Sequence, residues 1–98
     1  MNDFLNTLGL ANRARKVITG EILINKIRSN QVYFVIIASD ASENTKKKLT
    51  DKCTSYSVEY VITSNISELS KAIGKNNRVA LGITDNGFAK NLKEKIGG

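Results

Sequence analysis

The stretch VYFVIIASDASENTKKKL, residues 32–49, decides the fold class of this chain. Its first part, residues 32–39, is an unbroken β-branched and aromatic run, which is typical of a central strand covered on both faces. Asp40 follows, with Glu43 three residues later, and this is the spacing of a helix capping box. The helix that Asp40 is predicted to begin carries Leu49 on an apolar stripe and its lysines toward solvent. A buried strand therefore leads directly into an amphipathic helix.

The same alternation extends toward the start of the chain. Apolar residues from Phe4 to Ala11 recur at helical spacing and predict a first helix that ends near a basic stretch. Residues 17–19 form a short strand. A second helix is predicted over residues 20–29, with Thr19 as its N-cap.

Beyond the central stretch, residues 58–62 alternate as a further short strand. Asn65 opens a second capping-box spacing, and Gly74 is placed to end the helix that follows. Residues 79–84 predict another strand, and Asp85 can cap a last helix.

Strands that alternate with helices predict a three-layer α/β/α sandwich. We expect a mixed, partly parallel central sheet of about four strands, parallel mainly near its centre. Because proline is absent and no repeat or linker interrupts the pattern, residues 1–98 are expected to form one domain.

Several residue types that enzymes and cofactor sites need are missing. The chain has no histidine and one cysteine, which excludes the usual catalytic triads and most zinc sites. Neither the Walker spacing nor G-x-G-x-x-G occurs. We therefore predict no enzyme, no catalytic residue, no cofactor and no metal. One alternative stays open, because Asp40 and Asp85 each follow a predicted strand and an acid pair there could hold a metal, although capping explains both more simply.

Cysteine use and hydropathy predict a cytoplasmic protein. The single Cys53 cannot form an internal disulfide, which fits a reducing compartment, and its apolar stripe predicts a buried thiol. The longest apolar run, residues 32–38, is far shorter than the roughly twenty residues that a bilayer requires. No signal-peptide pattern opens the chain. We expect no membrane partner.

Charge favours a polyanionic partner. Fifteen Lys and Arg against nine Asp and Glu leave a net charge of +6. Five cations fall in residues 13–28 beside a single acid, Glu21, and a second group lies at residues 46–52. Because each neutralised phosphate releases condensed counterions, such clusters favour nucleic acid.

The segment RARKVITGEILINKIRS, residues 13–29, gives this partner a candidate binding position. A basic strand passes through Thr19 and Gly20 into a helix N-terminus, where free N–H groups and the helix dipole suit a phosphate. On the helix wheel Ile22 lies far from the apolar centre, so we expect it to be exposed beside Lys26.

Four stretches together resemble a known family: LGLANRARKVITGE, VIIASDASENTKKKL, VEYVITSNISELSKAIGK and NRVALGITDNGFAK. In this order, over nearly the whole chain, they resemble the L7Ae and L30e superfamily of kink-turn RNA-binding proteins, and within it the small bacterial YlxQ-like branch. The resemblance implies an α/β/α sandwich that inserts the N-terminus of its second helix into the opened groove of a kink-turn. A motif at that helix start reads guanines of sheared G·A pairs, and a second loop covers an extruded nucleotide.

Carried over by position, the guanine-reading motif falls on Gly20, Glu21 and Ile22, with Asn25 at the position of a basic residue. Ile22 cannot hydrogen-bond a guanine, and Asn25 carries no charge, although Lys26 is adjacent. Losing such contacts costs roughly 1–3 kcal/mol, so selectivity for a standard kink-turn could fall about tenfold. The second loop maps to residues 62–65.

The resemblance and the charge pattern together predict a set of RNA-binding residues. They are Arg15, Lys16, Thr19, Gly20, Glu21, Ile22, Asn25, Lys26, Arg28, Asp40, Ser42, Lys46, Ile62, Thr63, Ser64 and Asn65. The predicted partner is structured RNA, ribosomal or kink-turn-containing, bound by a monomer that associates with the ribosome. The alternative is a protein-interaction module on the same fold. Ile22 and Asn25 suggest it, because they depart from the motif that reads RNA.

Overall fold

A computed structural model describes residues 2–97; Met1 and Gly98, the two ends of the predicted domain, lie outside the described residues. Helices and strands alternate along the described chain, as the sequence predicts. In chain order they are α1 (Asn2–Arg13), β1 (Val17–Thr19), α2 (Glu21–Arg28), β2 (Phe34–Ile37), α3 (Glu43–Ser55), β3 (Glu59–Ile62), α4 (Ile66–Ala72), β4 (Ala80–Ile83) and α5 (Asn86–Gly97).

The four strands form one mixed sheet in the order β1-β4-β2-β3. Strands β2 and β3 are parallel, with Phe34 opposite Glu59. Strand β4 runs antiparallel to both β1 and β2, with Ala80 opposite Ile37. The predicted four-stranded mixed sheet is therefore confirmed, but the expectation of a largely parallel centre is wrong, because the central pair β4–β2 is antiparallel.

Two helical layers cover the sheet. Helix α1 packs against α4 and α5, and α5 contacts β4, whereas α2 packs against α3 and contacts β1. The three-layer α/β/α arrangement that the alternation predicted is confirmed. This arrangement buries β2 and β4 completely, while β3, an outermost strand of the sheet, keeps three of its four residues exposed.

The hydrophobic core lies on both faces of the sheet. Among its fully buried side chains are Leu8 of α1, Ile27 of α2, Ile36 of β2 and Leu69 of α4. Gly82 in β4 allows a close helix approach, since a Cβ there would lie 2.5 Å from Leu23 Cδ1. The strand residues predicted from hydropathy thus hold the layers together, each large apolar side chain contributing about 1.5–3 kcal/mol on burial.

Of the four predicted helix N-caps, two are confirmed and two are corrected. Asn65 Oδ1 accepts from Glu68 N–H at 2.8 Å, and Asp85 Oδ2 accepts from Phe88 N–H at 2.9 Å, so both predicted caps are confirmed. The prediction that Asp40 caps α3 is wrong. Ser42 caps that helix by accepting from Thr45 N–H.

The prediction that Thr19 caps α2 is also wrong. Thr19 is the last residue of β1, and Gly20 occupies the N-cap position, without a side-chain hydrogen bond. The physical reason is that pairing of Thr19 with Leu81 keeps its backbone in the sheet. Gly74 follows the end of α4 with φ 66°, as predicted for a terminating glycine.

Cys53 is fully buried on α3, as its apolar stripe predicted. Burial raises the pKa of its thiol from 9.0 to about 11, because a thiolate would have to be desolvated. None of the helices in the described chain has the length and apolar character needed to cross a membrane.

Candidate nucleic-acid interface

Strand register brings four strand ends together along one side of the sheet, the side that runs across the ends of the strands. Thr19 at the end of β1 pairs with Leu81 beside the start of β4, and Ala80 pairs with Ile37 at the end of β2. Ile37 in turn lies opposite Ile62 at the end of β3. We call this edge, formed by the ends of β1, β2 and β3 and the start of β4, the site edge.

The backbone at the N-terminus of α2 is open toward solvent. Gly20 has φ 71° and ψ −147°, a conformation that is essentially restricted to glycine. A Cβ at this position would meet nothing within 4 Å. Because no side chain caps the helix, its first N–H groups point to the site edge without a side-chain acceptor. The position can therefore admit a close anionic or base ligand.

A hollow of about 320 Å³ lies beside this helix end. Gly20 and Glu21 line one side, Lys48 of α3 a second, and Asn77 and Arg78 of the α4–β4 loop a third. Its lining thus combines a helix N-terminus with two cations, and neither cation forms an ion pair with a described residue. The rest of the lining is largely apolar, with Leu23, Ile24, Leu49, Val79 and Ala80. The helix end and the two cations are groups that suit a phosphate.

Within the described chain, the side chain of Arg78 has an unsatisfied hydrogen-bond donor. Its Nε is buried and has no hydrogen-bond partner among the described residues. The backbone N–H of Arg78 donates to Ser70 Oγ at 2.8 Å, and this bond fixes the start of the side chain. A buried N–H without an acceptor costs about 1–3 kcal/mol, so Arg78 carries an unmet hydrogen-bond donor next to the hollow that it lines.

Lys48, Asn77 and Arg78 were not among the predicted site residues. Lys48 belongs to the second basic group of the sequence, but Asn77 and Arg78 precede β4, whose direction the sequence left open. Since β4 is antiparallel to β1, its start lies beside the end of β1. Only that direction brings the α4–β4 loop to Gly20.

The predicted second loop, residues 62–65, also lies at the site edge but is three strands away from Gly20. Ile62 is 43% exposed, and Ser64 adopts φ 58°, a left-handed conformation that is uncommon for a non-glycine residue. The Ser64 carbonyl accepts from both the backbone N–H and the hydroxyl of Ser39, while Thr63 N–H donates to Ile37 O at 2.9 Å. The loop is therefore held to the end of β2.

The polar side chains of this loop are occupied within the protein. Ser64 Oγ and Asn65 Nδ2 both donate to Glu68 Oε1, at 3.2 and 3.0 Å. Asp40 Oδ1 accepts from the backbone N–H of Ile66 at 2.8 Å, so it helps to cap α4. What the loop offers a ligand is mainly the exposed apolar surface of Ile62.

Ser42 and Lys46 lie at the start of α3, next to this loop. Ser42 Oγ also donates to Thr45 Oγ1 at 2.9 Å. Lys46 Nζ lies 3.7 Å from Glu43 Oε1, an i,i+3 ion pair. Both residues lie within the first few residues of α3, and their polar groups have intramolecular partners.

The structure does not bring the remaining predicted cations to the site edge. Lys16 O accepts from Thr84 N–H at 2.9 Å, which places Arg15 and Lys16 at the opposite edge of the sheet, about 10 Å along β1 from Thr19. Lys26 Nζ donates to Gln31 Oε1 at 2.9 Å near the end of α2, and Arg28 is the last residue of that helix.

Ile22 and Asn25 lie on the exposed side of α2 near its start. Ile22 is 54% exposed, as the helix wheel predicted. Asn25 is also exposed, about one helical turn beyond Glu21. Of the α2 residues that the resemblance implicated, the three at the helix start therefore lie at the site edge and Asn25 lies behind them.

Asp40 and Asp85 do not form an acid pair. Asp40 follows β2 at the site edge, whereas Asp85 follows β4 at the opposite edge, because the two strands are antiparallel. About 13 Å of strand separates the two ends. In the chain that the structure describes, no group of three His, Cys, Asp or Glu residues could hold a metal ion. The alternative of a metal site built on these two residues is wrong.

Comparison with known proteins identifies the protein family to which this fold belongs. Residues 2–93 match the model of the ribosomal protein L7Ae/L30e/S12e/Gadd45 family, and the chain belongs to this family.

Two bacterial relatives are each named RNA-binding protein YlxQ. The Bacillus subtilis (strain 168) protein is 49% identical over 86 residues, which cover 87% of this chain and 86% of that protein. The Enterococcus faecium protein is 50% identical over 95 residues, which cover 96% of this chain and 91% of that protein. The resemblance to the YlxQ-like branch is thus confirmed.

Solved structures show the same architecture. A Bacillus halodurans C protein of unknown function superposes with a TM-score of 0.93 at 44% identity and covers 97% of both chains. The Giardia lamblia 15.5kD RNA binding protein superposes with a TM-score of 0.76 at 20% identity, covering 94% of this chain and 79% of the other. At this lower identity the likeness concerns the fold.

Proposed function

We propose that this protein is a cytoplasmic RNA-binding protein that docks as a single domain and performs no catalysis. Its partner is structured RNA that contains a kink-turn or a related bend, and the protein acts as a monomer on the ribosome or its precursors. The names of the two YlxQ relatives support RNA as the ligand. The observation that carries the proposal is the uncapped N-terminus of α2 beside Lys48 and Arg78.

Binding would begin with a phosphate at the start of α2. The free N–H groups and the positive end of the helix dipole would stabilise the anion, and the exposed Lys48 and the partly buried Arg78 would add two positive charges. Glu21, on the rim of the same hollow, can accept hydrogen bonds from a guanine edge, as a carboxylate does from base amino groups. Phosphate contacts position the RNA, and base-edge contacts specify it.

The loop of residues 62–65 would support the bend of the RNA. Ile62 presents an apolar side chain at the other end of the site edge, where it can cover an unstacked base. Because the loop is already held by Ser39, Asp40 and Glu68, binding would cost little ordering entropy there. The site edge thus combines an electrostatic end with an apolar end.

The test is a salt titration of binding to three RNAs: a kink-turn hairpin, the same hairpin with its G·A pairs made Watson–Crick, and a plain duplex. We expect the kink-turn to bind most tightly, with a steep salt dependence. Equal and weak binding to all three would contradict specific RNA docking at the site edge.

Two matched variants locate the surface. Lys48→Gln/Arg78→Gln should weaken binding to the kink-turn and lower the salt slope by about 2, one unit for each lost phosphate contact. Arg15→Gln/Lys16→Gln removes the same charge at the opposite edge and should leave the slope almost unchanged. If the second pair had the larger effect, the RNA surface would lie at that edge.

A protein partner on the same surface is the second candidate function. The observation that favours it is Ile22, which is 54% exposed at the position where the family's motif would present a polar group. An exposed apolar residue beside a hollow suits a protein contact. In that case binding would survive nuclease treatment and would depend little on salt.

A further inference from the structure

A groove between α1 and α4 lies outside the site described above. It encloses about 770 Å³ and is lined by Asn6, Leu10 and Arg13 of α1 and by Glu68 and Lys71 of α4, among others. The two helices approach closely at its floor, where a Cβ on Gly9 would lie 3.2 Å from Ala72 O. Asn12 Nδ2 also donates to Ile73 O at 3.1 Å, so the groove is fixed before any ligand arrives.

The groove continues into the site edge. A second hollow beside α4, of about 810 Å³, is lined by Asp40, Lys71, Lys75 and Asn77, among others. Lys71 therefore belongs to this hollow and to the α1–α4 groove, while Asn77 belongs to this hollow and to the one at Gly20. Shared residues thus join the three concave surfaces into one path.

Five cations line this path, Arg13, Lys48, Lys71, Lys75 and Arg78, against three acids, Glu21, Asp40 and Glu68. Among the described residues, Arg13, Lys71 and Lys75 form no ion pair. The one acid of the groove, Glu68, has its Oε1 engaged by Ser64 and Asn65 at the end nearest the loop. Leu10, 54% exposed, adds an apolar surface between the cations.

From this geometry we infer that the α1–α4 groove binds a single-stranded RNA segment that flanks the structured element at the site edge. The inference rests on the proposed function and extends it to a second contact surface. Arg13 and Lys71 bind phosphates, and Leu10 lies against a base. A groove between packed helices, whose axes lie about 8–10 Å apart, is suited to one strand.

The experiment compares three RNAs: the kink-turn hairpin alone, and the hairpin with a single-stranded extension of about ten nucleotides at its 5′ or its 3′ end. We expect one extension to raise the affinity about fivefold, the combined effect of two exposed charge contacts. That extension should also steepen the salt slope by about 1.4, since each phosphate on a single strand contributes about 0.7.

The variant Arg13→Gln/Lys71→Gln should abolish this gain and leave binding to the bare hairpin nearly unchanged. Both side chains are exposed, and the helix-forming glutamines keep the protein folded. The control Lys90→Gln/Lys95→Gln on α5 removes the same charge from residues outside the three hollows, and it should keep the gain.

The inference is overturned by no gain from either extension, by a gain that survives in the Arg13→Gln/Lys71→Gln variant, or by an equal loss in the control. Each of these can occur while the bare hairpin still binds, which separates failure of the groove from failure of the proposed function. If the bare hairpin itself does not bind, both fail together. A protein retained by the groove after nuclease treatment, in place of RNA, would also contradict it.

Discussion

The two ends of the site edge, the start of α2 and the loop of residues 62–65, differ in how their polar groups are used. At Gly20 no side chain caps the helix, and nothing fills the space in front of the glycine. At Asn65 two side chains cap α4, and Ser64 is held by Ser39 and Glu68.

The difference in capping indicates which end of the site edge can gain hydrogen bonds when a ligand binds. A helix N-terminus whose N–H groups lack a side-chain partner gains hydrogen bonds when an anion arrives, whereas a capped helix already has them. In the proposed function, the loop would contribute its shape and the exposed side chain of Ile62 to binding. We therefore expect substitutions at the α2 end to change RNA affinity and substitutions at the loop end to change mainly protein stability.

The largest effect is expected from Gly20→Ala. Because φ 71° with ψ −147° is a strained backbone conformation for any residue with a Cβ, the variant should lose about 1–3 kcal/mol of unfolding free energy and should displace the start of α2. RNA affinity should fall at least about tenfold, since the phosphate site depends on this backbone. Urea unfolding and RNA titration measure the two effects.

Gly74→Ala is the matched control, because Gly74 also has a positive φ, of 66°, but ends α4 instead of beginning α2. It should reduce stability by about 1 kcal/mol and leave the RNA affinity of the folded protein unchanged. An equal loss of affinity in both variants would show that the start of α2 has no special role.

The second effect concerns specificity at the α2 end. Ile22→Glu places a carboxylate where the family's motif reads guanine, and the side chain is exposed, so the fold should tolerate it. Preference for the kink-turn over its Watson–Crick counterpart should rise about tenfold, because a base-edge contact contributes about 1–3 kcal/mol. Competition binding with the two hairpins measures this ratio.

Ile22→Gln controls for the loss of the apolar side chain without adding a charge. If both variants changed the ratio equally, or neither changed it, then Ile22 would not lie against the base edges.

The smallest effect on binding is expected at the loop. Asn65→Ala removes the side-chain acceptor for Glu68 N–H and should cost about 1 kcal/mol of stability, the usual value of an N-cap. RNA affinity should change less than about twofold, because Asp40 still accepts from Ile66 N–H and holds the loop. Thermal unfolding and RNA titration test both statements.

Ser42→Ala removes the side-chain cap of α3 in the same way, so it is the control for the loss of a helix cap at Asn65. A loss of affinity at Asn65 as large as that at Gly20 would reverse the assignment of roles to the two ends.

Much of the fold could be predicted from sequence because it depends on local patterns. The buried run at residues 32–39, the cap at Asn65 and the terminating Gly74 each follow from side chains within a few positions. The cap at Thr19 could not be predicted correctly, since pairing of Thr19 with β4 decides its backbone conformation and Gly20 takes its place.

The candidate site was only half predictable. Local sequence indicated the start of α2 and the exposure of Ile22, and the family resemblance indicated the loop of residues 62–65. The direction of β4 is a non-local property. It brings Arg78 to Gly20, and it sends Asp85 away from Asp40.

What the sequence determined by itself is therefore the alternation of helices and strands, the excess of positive charge and the helix end at Gly20. The tertiary structure alone decided which cations reach that helix end. Lys48 and Arg78 lie beside it, while Arg15 and Lys16 lie at the opposite edge. The physical reason is that helical and strand patterns depend on neighbours in the chain, whereas an electrostatic site depends on distances that only sheet pairing fixes.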